Sequence, residues 1–429
     1  MVVREQQIQQ LNTTKTWDFI IIGGGASGLG IAVDAASRGF KTVLFEGSDF
    51  AKGTSSKSTK LVHGGVRYLA QGNIDLVSEA LAERGVLARN AKHLFKNLSF
   101  IIPNYKWWQG YYYAIGLKIY DLLSKKLSLG KSKLIYIEKT LAFLPNLKRE
   151  HLFSGVVYHD GQFDDSRLAI NLAQTAIEHD ATVLNYFKVN SIFKDHQGKN
   201  EGVTVIDKET EIEYLVKSKC IINATGIFTD KILKKNDPTH KKTVIPSRGV
   251  HLVFDKSFLK SDHAVMIPKT SDGRVLFIIP WHNRVIAGTT DTPIRKKTLD
   301  PIATKAEISF ILNNVKHYLS KAPKRKDILS VFAGLRPLAA PQEEGAKTKE
   351  VSRSHKIIVS DSTLISIVGG KWTTYRKMAE DVVNKSIQVH HYKRIKSKTK
   401  TLNIHGNTSL DLKEDYLSVY GSDAKEIKY

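Results

Sequence analysis

Cysteine is almost absent from this sequence, which has one in 429 residues. A single thiol excludes an internal disulfide and is typical of proteins that work in a reducing compartment. That residue, Cys220, lies in the apolar run KCIINATG. We expect a small buried side chain there, because a reactive thiol needs an exposed and polar setting.

Long hydrophobic runs are missing as well. No apolar run approaches the ~20 residues that a helix needs to span a bilayer. The first residues, MVVREQQIQQLNTTKTW, are polar and contain none of the apolar stretch of a secretory signal. We therefore predict a cytoplasmic protein whose N-terminus is a loose extension.

Acidic residues are scarce. The 42 Asp and Glu stand against 65 Lys and Arg, which gives a formal net charge of +23 and a pI near 9.7. Such a surface attracts anions: nucleic acid, acidic lipid or a phosphorylated metabolite. The basic residues are spread along the whole chain, and there is no RNP aromatic motif, zinc-finger spacing or helix-turn-helix pattern. We predict no specific nucleic-acid partner and no metal site.

The chain does contain enough apolar residues for folded cores. Hydrophobic residues make up 41% of the sequence and charged residues 25%, which is ordinary for a folded protein. The length exceeds what one hydrophobic core usually serves, so we predict two domains.

A glycine-rich turn stands near the start, in WDFIIIGGGASGLGIAVDAASRGFKTVLFEGSDF. We predict a strand over residues 19–22, a helical stretch over 30–38 and a second strand over 41–45. The turn follows the pattern G-x-G-x-x-G with Gly23, Gly25 and Gly28. The first glycine permits a tight turn, the second lets the backbone approach a pyrophosphate, and the third lets helix and strand pack closely.

The order of these elements favours a bound dinucleotide with an ADP part. Phosphates at the turn, beside Ala26 and Ser27, would meet unpaired N–H groups and the positive end of the helix dipole. Glu46, at the tip of the second strand, can accept hydrogen bonds from the two ribose hydroxyls. A carboxylate there also repels a 2′-phosphate, so NADP is disfavoured.

A hydroxyl-rich loop follows in TSSKSTKLVHGGVRYL, and it favours FAD over NAD. Thr54, Ser55 and Ser56 come too soon after Glu46 to begin the next crossover helix. We predict that they form a loop that reaches back to the cofactor. A loop that stays over the cofactor suits a flavin that never leaves better than a nicotinamide that must exchange.

From here the sequence closely resembles the FAD-dependent glycerol-3-phosphate dehydrogenases of the respiratory type, which have the glutathione-reductase-like flavoprotein fold shared with D-amino-acid oxidase. The matching segments run in family order from about residue 17 to 390. They include IIIGGGASGLGIAVDAASRG, SSKSTKLVHGGVRYL, FDDSRLAINLA, FIIPWHNRVIAGTTDT, FAGLRPL and VGGKWTTYRKMAED. HGGVRYL, GLRPL and GGKWTTYRK together are typical of this family rather than of flavoproteins at large.

The resemblance implies an α/β fold with a Rossmann-like FAD-binding domain of the glutathione-reductase type and an antiparallel-β substrate domain. The expected FAD-binding domain is discontinuous and comprises residues 17–95, 150–240 and 355–390. The expected substrate or cap domain comprises residues 96–149 and 241–354. Residues 391–429 would be the beginning of a truncated C-terminal helical domain.

The resemblance also implies further cofactor contacts in three segments. The glycines of HGGVRYL would let the backbone pass close to the isoalloxazine ring, and a buried strand ending in NATG would lie beside the cofactor. In VGGKWTTYRKMAED, a helix N-terminus would point its positive dipole at the N1/C2-oxygen edge of the flavin. The expected contacts are Gly64, Gly65, Ala224, Gly226, Gly370, Lys371 and Thr373.

The implied reaction is oxidation of sn-glycerol 3-phosphate to dihydroxyacetone phosphate, with a hydride passing from C2 to flavin N5. The planar fork of arginine suits a phosphate dianion because it binds two oxygens at once. The resemblance places five residues around the substrate: Arg67, Tyr68, Arg336, Arg353 and Lys371.

Two histidines are candidates for the base that removes the C2-hydroxyl proton, because imidazole accepts a proton near neutral pH. His251 begins a strand that faces the predicted pocket, so it is favoured over His63. Either residue could instead be a core histidine. Arg336 could share the task by lowering the pKa of the alcohol.

Reduced flavin needs an electron acceptor, which in this family is usually membrane quinone and in a minority oxygen. Residues 104–133 combine Trp and Tyr, a short apolar helix and lysines. This composition is typical of a helix at an anionic membrane surface, and equally of an aromatic helix packed on the protein's own core. We expect peripheral association with the inner face of the cell membrane, and we leave a homodimer open.

Three alternatives to a quinone-linked dehydrogenase remain. They are an oxygen-using glycerol-3-phosphate oxidase, a related flavin amino-acid oxidase, and a flavin-binding module without turnover. An oxidase would form hydrogen peroxide, and a binding module would keep its oxidised flavin spectrum in the presence of substrate.

Overall fold

The structure, a computed structural model, describes residues 4–69, 72–340, 354–409 and 415–427. Within these ranges no helix combines the length and apolarity needed to cross a membrane. The helices are α1 (Arg4–Thr13), α2 (Ala26–Ser37), α3 (Val66–Leu69), α4 (Ile74–Asn90), α5 (Gln109–Ser124), α6 (Ile137–Phe143), α7 (Asp165–Glu178), α8 (Thr229–Asn236), α9 (Lys305–Tyr318), α10 (Tyr375–Val389), α11 (Asp415–Ser418) and α12 (Ala424–Ile427).

The strands are β1 (Trp17–Ile22), β2 (Thr42–Phe45), β3 (Leu61–Val62), β4 (Phe95–Asn104), β5 (Lys133–Tyr136), β6 (Ser154–Phe163), β7 (Thr182–Leu184), β8 (Phe187–Lys194), β9 (Asn200–Asp207), β10 (Glu213–Asn223), β11 (Val244–Asp255), β12 (Ala264–Ile267), β13 (Leu276–Trp281), β14 (Arg284–Gly288), β15 (Thr292–Pro293), β16 (Ser330–Ala339), β17 (His355–Val359) and β18 (Ile365–Gly369). They form two large sheets. The order of the first is β17-β18-β10-β1-β2-β7, with β8 and β9 added beside β10, and the order of the second is β15-β11-β14-β13-β12-β4-β6-β3, with β16 beside β11 and β5 beside β6.

The first sheet has a parallel core. β1 pairs in parallel with β10 and β2, in a register that sets Ile22 opposite both Asn223 and Phe45. β10 also pairs in parallel with β18. The carboxyl ends of these four strands therefore meet at one edge, which is where open α/β sheets bind their ligands. β1 reads WDFIII and is buried along nearly its whole length, as a strand covered on both faces must be.

Helix α2 packs against α7 and α10 beside this sheet. It begins at Ala26 rather than at Gly30, where the sequence predicted the helical stretch to begin. Its first turn lies against the turn after β1, because a Cβ atom at Gly28 would be only 1.8 Å from the carbonyl oxygen of Gly23. The alanine-rich helix is buried on all sides from Gly28 onward.

The second sheet is mostly antiparallel, as the resemblance implied for the substrate domain. β11 pairs antiparallel with β14, β15 and β16, and β4 pairs antiparallel with β6. Helix α9 buries Ile308 and Ile311 in the core beneath β11 and begins with a capping box between Thr304 and Glu307. β3 and β6 also belong to this sheet, although they lie in the expected FAD-binding pieces. The division into domains stays a prediction.

The prediction of a loose N-terminal extension is wrong from residue 4 onward. Helix α1 buries Leu11 in a hydrophobic core. Nη1 of Arg4 donates to Oδ1 of Asn185 at 2.8 Å, and its Nη2 lies 3.3 Å from Oδ1 of Asp207. The polar sequence hid this helix because its few apolar residues contact a sheet that is distant in the chain.

Residues 391–409 have no helix or strand, and α11 and α12 are only four residues long. The segment packs against the C-terminal ends of α2 and α4. Nη1 of Arg38 donates to the carbonyl oxygen of Ile395 at 2.9 Å, and Nδ2 of Asn90 donates to that of Thr399 at 3.0 Å. That this segment begins a helical domain stays a prediction.

Cys220 lies on β10 with none of its surface exposed. Burial raises the pKa of its thiol to about 12, so the side chain stays protonated at physiological pH. The prediction of a small buried thiol is confirmed.

Candidate active site

A cavity of ≈ 670 Å³ lies where the parallel edge of the first sheet meets the second sheet. Its size is within the range of about 300–1,000 Å³ that is usual for ligand pockets. Most of the residues predicted for a site line it: Gly23, Gly25, Ala26, Ser27, Glu46, Thr54, Ser55, His63, Gly65, Tyr68, Ala224, Gly226, His251, Arg336, Gly370, Lys371 and Thr373. Gly28, Ser56 and Gly64 do not line it, and Arg353 and the side chain of Arg67 lie outside the described residues.

The glycine-rich turn admits no larger residues at two of its positions. Gly23 has φ +110°, and a Cβ atom there would lie 2.7 Å from the carbonyl oxygen of Ala224. Gly28 contacts Gly23 rather than the cavity. This packing leaves the first turn of α2 open to the cavity, where its N–H groups can meet an anion.

Glu46 follows β2 and is mostly buried at the cavity wall. Its Oε2 accepts a hydrogen bond from the backbone N–H of Gly24 at 2.7 Å, and its Oε1 accepts one from Ser48 at 2.8 Å. Burial raises the pKa of this carboxyl, and the two N–H groups oppose that shift. A carboxylate has about four acceptor positions, so Glu46 keeps capacity for two ribose hydroxyls.

The hydroxyl-rich loop begins with one turn of 3-10 helix over Thr54–Ser56. Oγ of Ser55 accepts a hydrogen bond from the N–H of Ala26 at 2.9 Å, so this loop does cover the N-terminus of α2. Oγ1 of Thr54 donates to the carbonyl oxygen of Leu335 at 2.5 Å and links the loop to β16. Oγ of Ser56 reaches the carbonyl oxygen of Gly53 at 3.5 Å.

The second half of this loop, residues 63–68, is called the substrate loop below. It lies beside the segment after β18, because the N–H of His63 donates to Oγ1 of Thr373 at 3.3 Å. Nζ of Lys371 lies 4.0 Å from the centroid of the buried Tyr68 ring, a cation–π contact. Gly65 has φ +83°, which glycine adopts without strain.

Arg336 lies on β16 with its guanidinium group at the cavity wall. Nη1 donates to the carbonyl oxygen of Thr290 at 3.0 Å and to Oδ1 of Asp291 at 3.3 Å. Nη2 donates to Oγ1 of Thr289 at 3.0 Å. These contacts fix the plane of the guanidinium group, and they make residues 289–291 part of the site.

His251 is buried on β11, and its ring stacks on Phe332 with centroids 4.7 Å apart. Nε2 shares a hydrogen bond with Oγ1 of Thr59 at 2.9 Å, and no described residue hydrogen-bonds to the buried Nδ1. Burial, followed by the charges of Arg336 and Lys60, lowers the pKa of His251 to about 3. The sequence favoured His251 as the base, yet in this setting it is a weak proton acceptor at neutral pH.

Sequence reasoning missed Thr59 and the residues 289–291. Thr59 sits within the hydroxyl-rich loop, but nothing in its neighbourhood distinguished it from the other hydroxyls. The sequence TTD directly after the apolar strand β14 was an available signal, because polar residues at the end of a buried strand often line a site.

Comparison with known proteins decides the family. The sequence profile of the DAO family, described as FAD dependent oxidoreductase, matches residues 18–368. The chain belongs to this family. This DAO-family protein is 43% identical over 417 residues to the mitochondrial glycerol-3-phosphate dehydrogenase of Rattus norvegicus, which covers 94% of the chain and 57% of that relative. The counterpart from Schizosaccharomyces pombe is 42% identical, over 91% of the chain and 64% of the relative.

Solved structures agree with this assignment. The glycerol-3-phosphate dehydrogenase from Bacillus halodurans, complexed with FAD, superposes with a TM-score of 0.80 at 32% identity, over 99% of this chain and 79% of that one. The L-alpha-glycerophosphate oxidase from Mycoplasma pneumoniae has a TM-score of 0.69 at 19% identity, over 90% and 97%, and this likeness concerns the fold alone. The resemblance seen in the sequence is confirmed, while the chain spans only 57% and 64% of the two curated relatives.

The residues of this DAO-family cavity fit FAD. The turn at Gly23 brings the backbone N–H groups in the first turn of α2 to the wall, as a pyrophosphate requires. Glu46 lies at the end of β2 with spare acceptor capacity for the ribose. Gly370, Lys371 and Thr373 line the same cavity after β18.

Proposed function

We propose that the protein oxidises sn-glycerol 3-phosphate to dihydroxyacetone phosphate. The observation that carries the proposal is the presence of Arg336, Lys371 and Tyr68 on the wall of the cavity that also contains the dinucleotide turn. The names of the relatives at 42–43% identity support the choice of substrate. Bound FAD supplies the acceptor for the hydride that leaves C2.

The phosphate of the substrate would bind to the cationic part of the wall. Arg336 is already oriented by Thr289 and Asp291, so little side-chain entropy is lost on binding. A hydrogen bond from a charged donor contributes about 1.5–3 kcal/mol. Arg67 and Arg353 are proposed further phosphate ligands from the family resemblance, with Tyr68 donating its hydroxyl and Lys371 adding charge.

Loss of a hydride from C2 also requires loss of the proton on the C2 oxygen. The lowered pKa of His251 weakens its claim to this role. We propose His63 as the acceptor of this proton, because it lies on the substrate loop and lines the cavity. The positive charge of Arg336 would lower the pKa of the alcohol and ease the transfer.

Electrons would leave to membrane quinone, and helix α5 gives the physical basis for this part of the proposal. Its outward residues are strongly exposed, with Tyr111 at 62%, Ile115 at 64% and Leu122 at 76%. Leu117 and Tyr120 face inward. Packing on the protein's own core explains why Leu117 and Tyr120 are buried, but it does not explain the exposed outer face of α5. We propose that this outer face lies on the anionic, cytoplasmic surface of the cell membrane.

Anaerobic reduction of the yellow holoprotein tests the reaction. Glycerol 3-phosphate should bleach the oxidised flavin band and form one dihydroxyacetone phosphate per flavin, whereas glycerol and D-alanine should leave the band unchanged. Persistence of the oxidised spectrum with glycerol 3-phosphate would contradict the proposed reaction, and bleaching by D-alanine would favour an amino-acid oxidase. Rapid hydrogen peroxide formation in air would identify oxygen as the acceptor in place of quinone.

Flotation with vesicles tests the membrane part separately. The protein should float with anionic vesicles at low salt and detach as salt rises, because the attraction is screened within about 10 Å at 0.1 M. Leu122→Glu should lose flotation and keep turnover with a soluble acceptor. A dimer in the absence of vesicles that Leu122→Glu dissociates would assign the outer face to a second copy of the chain instead.

A further inference from the structure

Tyr120 is the inward counterpart of the exposed face of α5. Only 1% of its surface is exposed, and its hydroxyl group reaches two other parts of the fold. The hydroxyl donates to the carboxylate of Asp160 on β6, 2.8 Å from Oδ2. It also accepts a hydrogen bond from the backbone N–H of Gly64, at 2.7 Å. A residue of α5 thus binds directly to the backbone of the substrate loop.

A buried ion pair holds the contact of Tyr120 with Asp160 and Gly64 in place. Nη1 of Arg84, on α4, lies 2.7 Å from Oδ1 of Asp160, and both side chains are almost fully buried. Nη2 of Arg84 donates to Oγ of Ser124 at 3.4 Å and to the carbonyl oxygen of Leu127 at 3.2 Å. Arg84 therefore links the C-terminal end of α5 to β6. It also fixes the carboxylate of Asp160, which accepts the hydrogen bond from Tyr120.

The contact with Tyr120 explains why residue 64 is a glycine although it does not line the cavity. A Cβ atom at Gly64 would lie 2.5 Å from the hydroxyl oxygen of Tyr120 and 2.5 Å from Cδ2 of Leu81. The backbone at Gly64 can approach Tyr120 only without a side chain. Its neighbours on either side, His63 and Gly65, do line the cavity. A shift at this contact must therefore move cavity-lining residues.

We propose that Tyr120 is a positioning residue: its hydroxyl fixes the backbone of the substrate loop at Gly64 and so sets where His63 and Tyr68 meet the substrate. This role rests on the proposed function for its substrate. It also makes α5 a shared element, with one face for the outside partner and the other face holding the loop.

Hydrogen exchange on the FAD-loaded protein tests the contact without relying on turnover. In Tyr120→Phe, the peptide that contains Gly64 should exchange its amide hydrogens at least ~10-fold faster, because the N–H of Gly64 loses its 2.7 Å acceptor and keeps only the 3.4 Å contact with Oδ1 of Asp160. Tyr105→Phe is the matched control. It removes a tyrosine hydroxyl that donates to the carbonyl oxygen of Lys148 at 3.1 Å, away from the loop, so exchange at Gly64 should stay as in the wild type.

Steady-state kinetics test the consequence for the substrate. Tyr120→Phe should raise KM for glycerol 3-phosphate about 10-fold, because Tyr68 then contacts the substrate loosely, and should also lower kcat, because the proton acceptor His63 moves with the same backbone. FAD content should not change. Tyr105→Phe should keep both constants, even if its melting temperature falls as much as that of Tyr120→Phe.

A second variant approaches the same contact from the loop. Gly64→Ala pushes on the Tyr120 hydroxyl and should raise KM in the same way, and the double variant Gly64→Ala/Tyr120→Phe should be no worse than Gly64→Ala alone. Unchanged exchange at Gly64, an unchanged KM, or strictly additive losses would each overturn the role of Tyr120. If wild-type flavin is not bleached by glycerol 3-phosphate, the proposed reaction fails instead, and the exchange experiment still reports whether Tyr120 holds the loop.

Discussion

The two ends of the cavity are built by different means. The end at the glycine-rich turn is formed mainly by backbone near the start of the chain, with Gly23 and Gly28 shaping the turn and α2 supplying N–H groups. The end at Arg336 is made of side chains that come from both sheets and lie far apart in the chain. Changes at the first end should therefore act on cofactor binding, and changes at the second on substrate turnover.

The largest expected effect is at the backbone end. Gly28→Ala places a Cβ atom 1.8 Å from the carbonyl oxygen of Gly23, so the turn and α2 must separate. Overpacking of this kind costs about 1–3 kcal/mol, and we expect purified protein without bound FAD. The flavin absorbance per protein measures this. Gly116→Ala on α5, where an added Cβ meets nothing within 4 Å, is the control and should keep its flavin. Full flavin content in Gly28→Ala would contradict the comparison.

Arg336→Ala should give the next largest effect, now at the side-chain end. Two charged hydrogen bonds of about 1.5–3 kcal/mol each to the phosphate correspond to a fall in kcat/KM of ~10²–10⁴-fold. FAD should remain bound. Steady-state assays with glycerol 3-phosphate, together with flavin content, give both values. Arg284→Ala, an exposed arginine on β14, should behave as the wild type, and unchanged turnover in Arg336→Ala would remove that residue from the site.

The pH dependence of the free energy of unfolding should show the effect of burying His251 at the side-chain end of the cavity. The pKa of its folded form is about 3 against 6.5 for an exposed histidine, so the unfolded chain binds a proton first as the pH falls. The contribution of neutral, buried His251 to the free energy of unfolding is fully present above pH 6.5. It should be lost at about 1.4 kcal/mol per pH unit as the pH falls from 6.5 towards 3. Denaturant unfolding of the wild type and His251→Asn checks this. Equal slopes in the two proteins would show that His251 is not buried and neutral.

Ser55→Ala should have the smallest effect, at the backbone end again. The N–H of Ala26 loses its acceptor, and a hydrogen bond of this type contributes about 1 kcal/mol. We therefore expect the Kd for FAD to rise about fivefold. The neighbouring Ser56→Ala is the matched control, because the hydroxyl that it removes makes a 3.5 Å contact with the carbonyl oxygen of Gly53. Titration of the apoproteins with FAD measures both, and equal Kd values would show that Ser55 does not shape the turn.

The difference between the two ends of the cavity also determines how much of the site the sequence could predict. The turn at Gly23 and the acid at Glu46 depend on residues close in the chain, so their spacing carried the information. The partners of Arg336 could not be predicted, because Asp291 reaches it only through the pairing of β11 with β16 and β15. Burial on β11 likewise changed the expected chemistry of His251, and no local pattern indicates how deeply one strand of a sheet is covered.

Helix α1 shows the same limit in the fold. Its sequence REQQIQQLNT gives almost no apolar face, and only contacts with a strand far along the chain make it a stable element. The parallel sheet and the mostly antiparallel second sheet, by contrast, followed from strand and helix patterns and from the family motifs.

The isolated thiol of Cys220 has a practical use. A fully enclosed, protonated sulfur reacts slowly with maleimides and nitroxide reagents, since these attack the thiolate. The native chain is therefore a nearly silent background for site-directed labelling. A spin or fluorescent probe attached after Leu122→Cys would report directly how deeply the outer face of α5 enters a lipid layer.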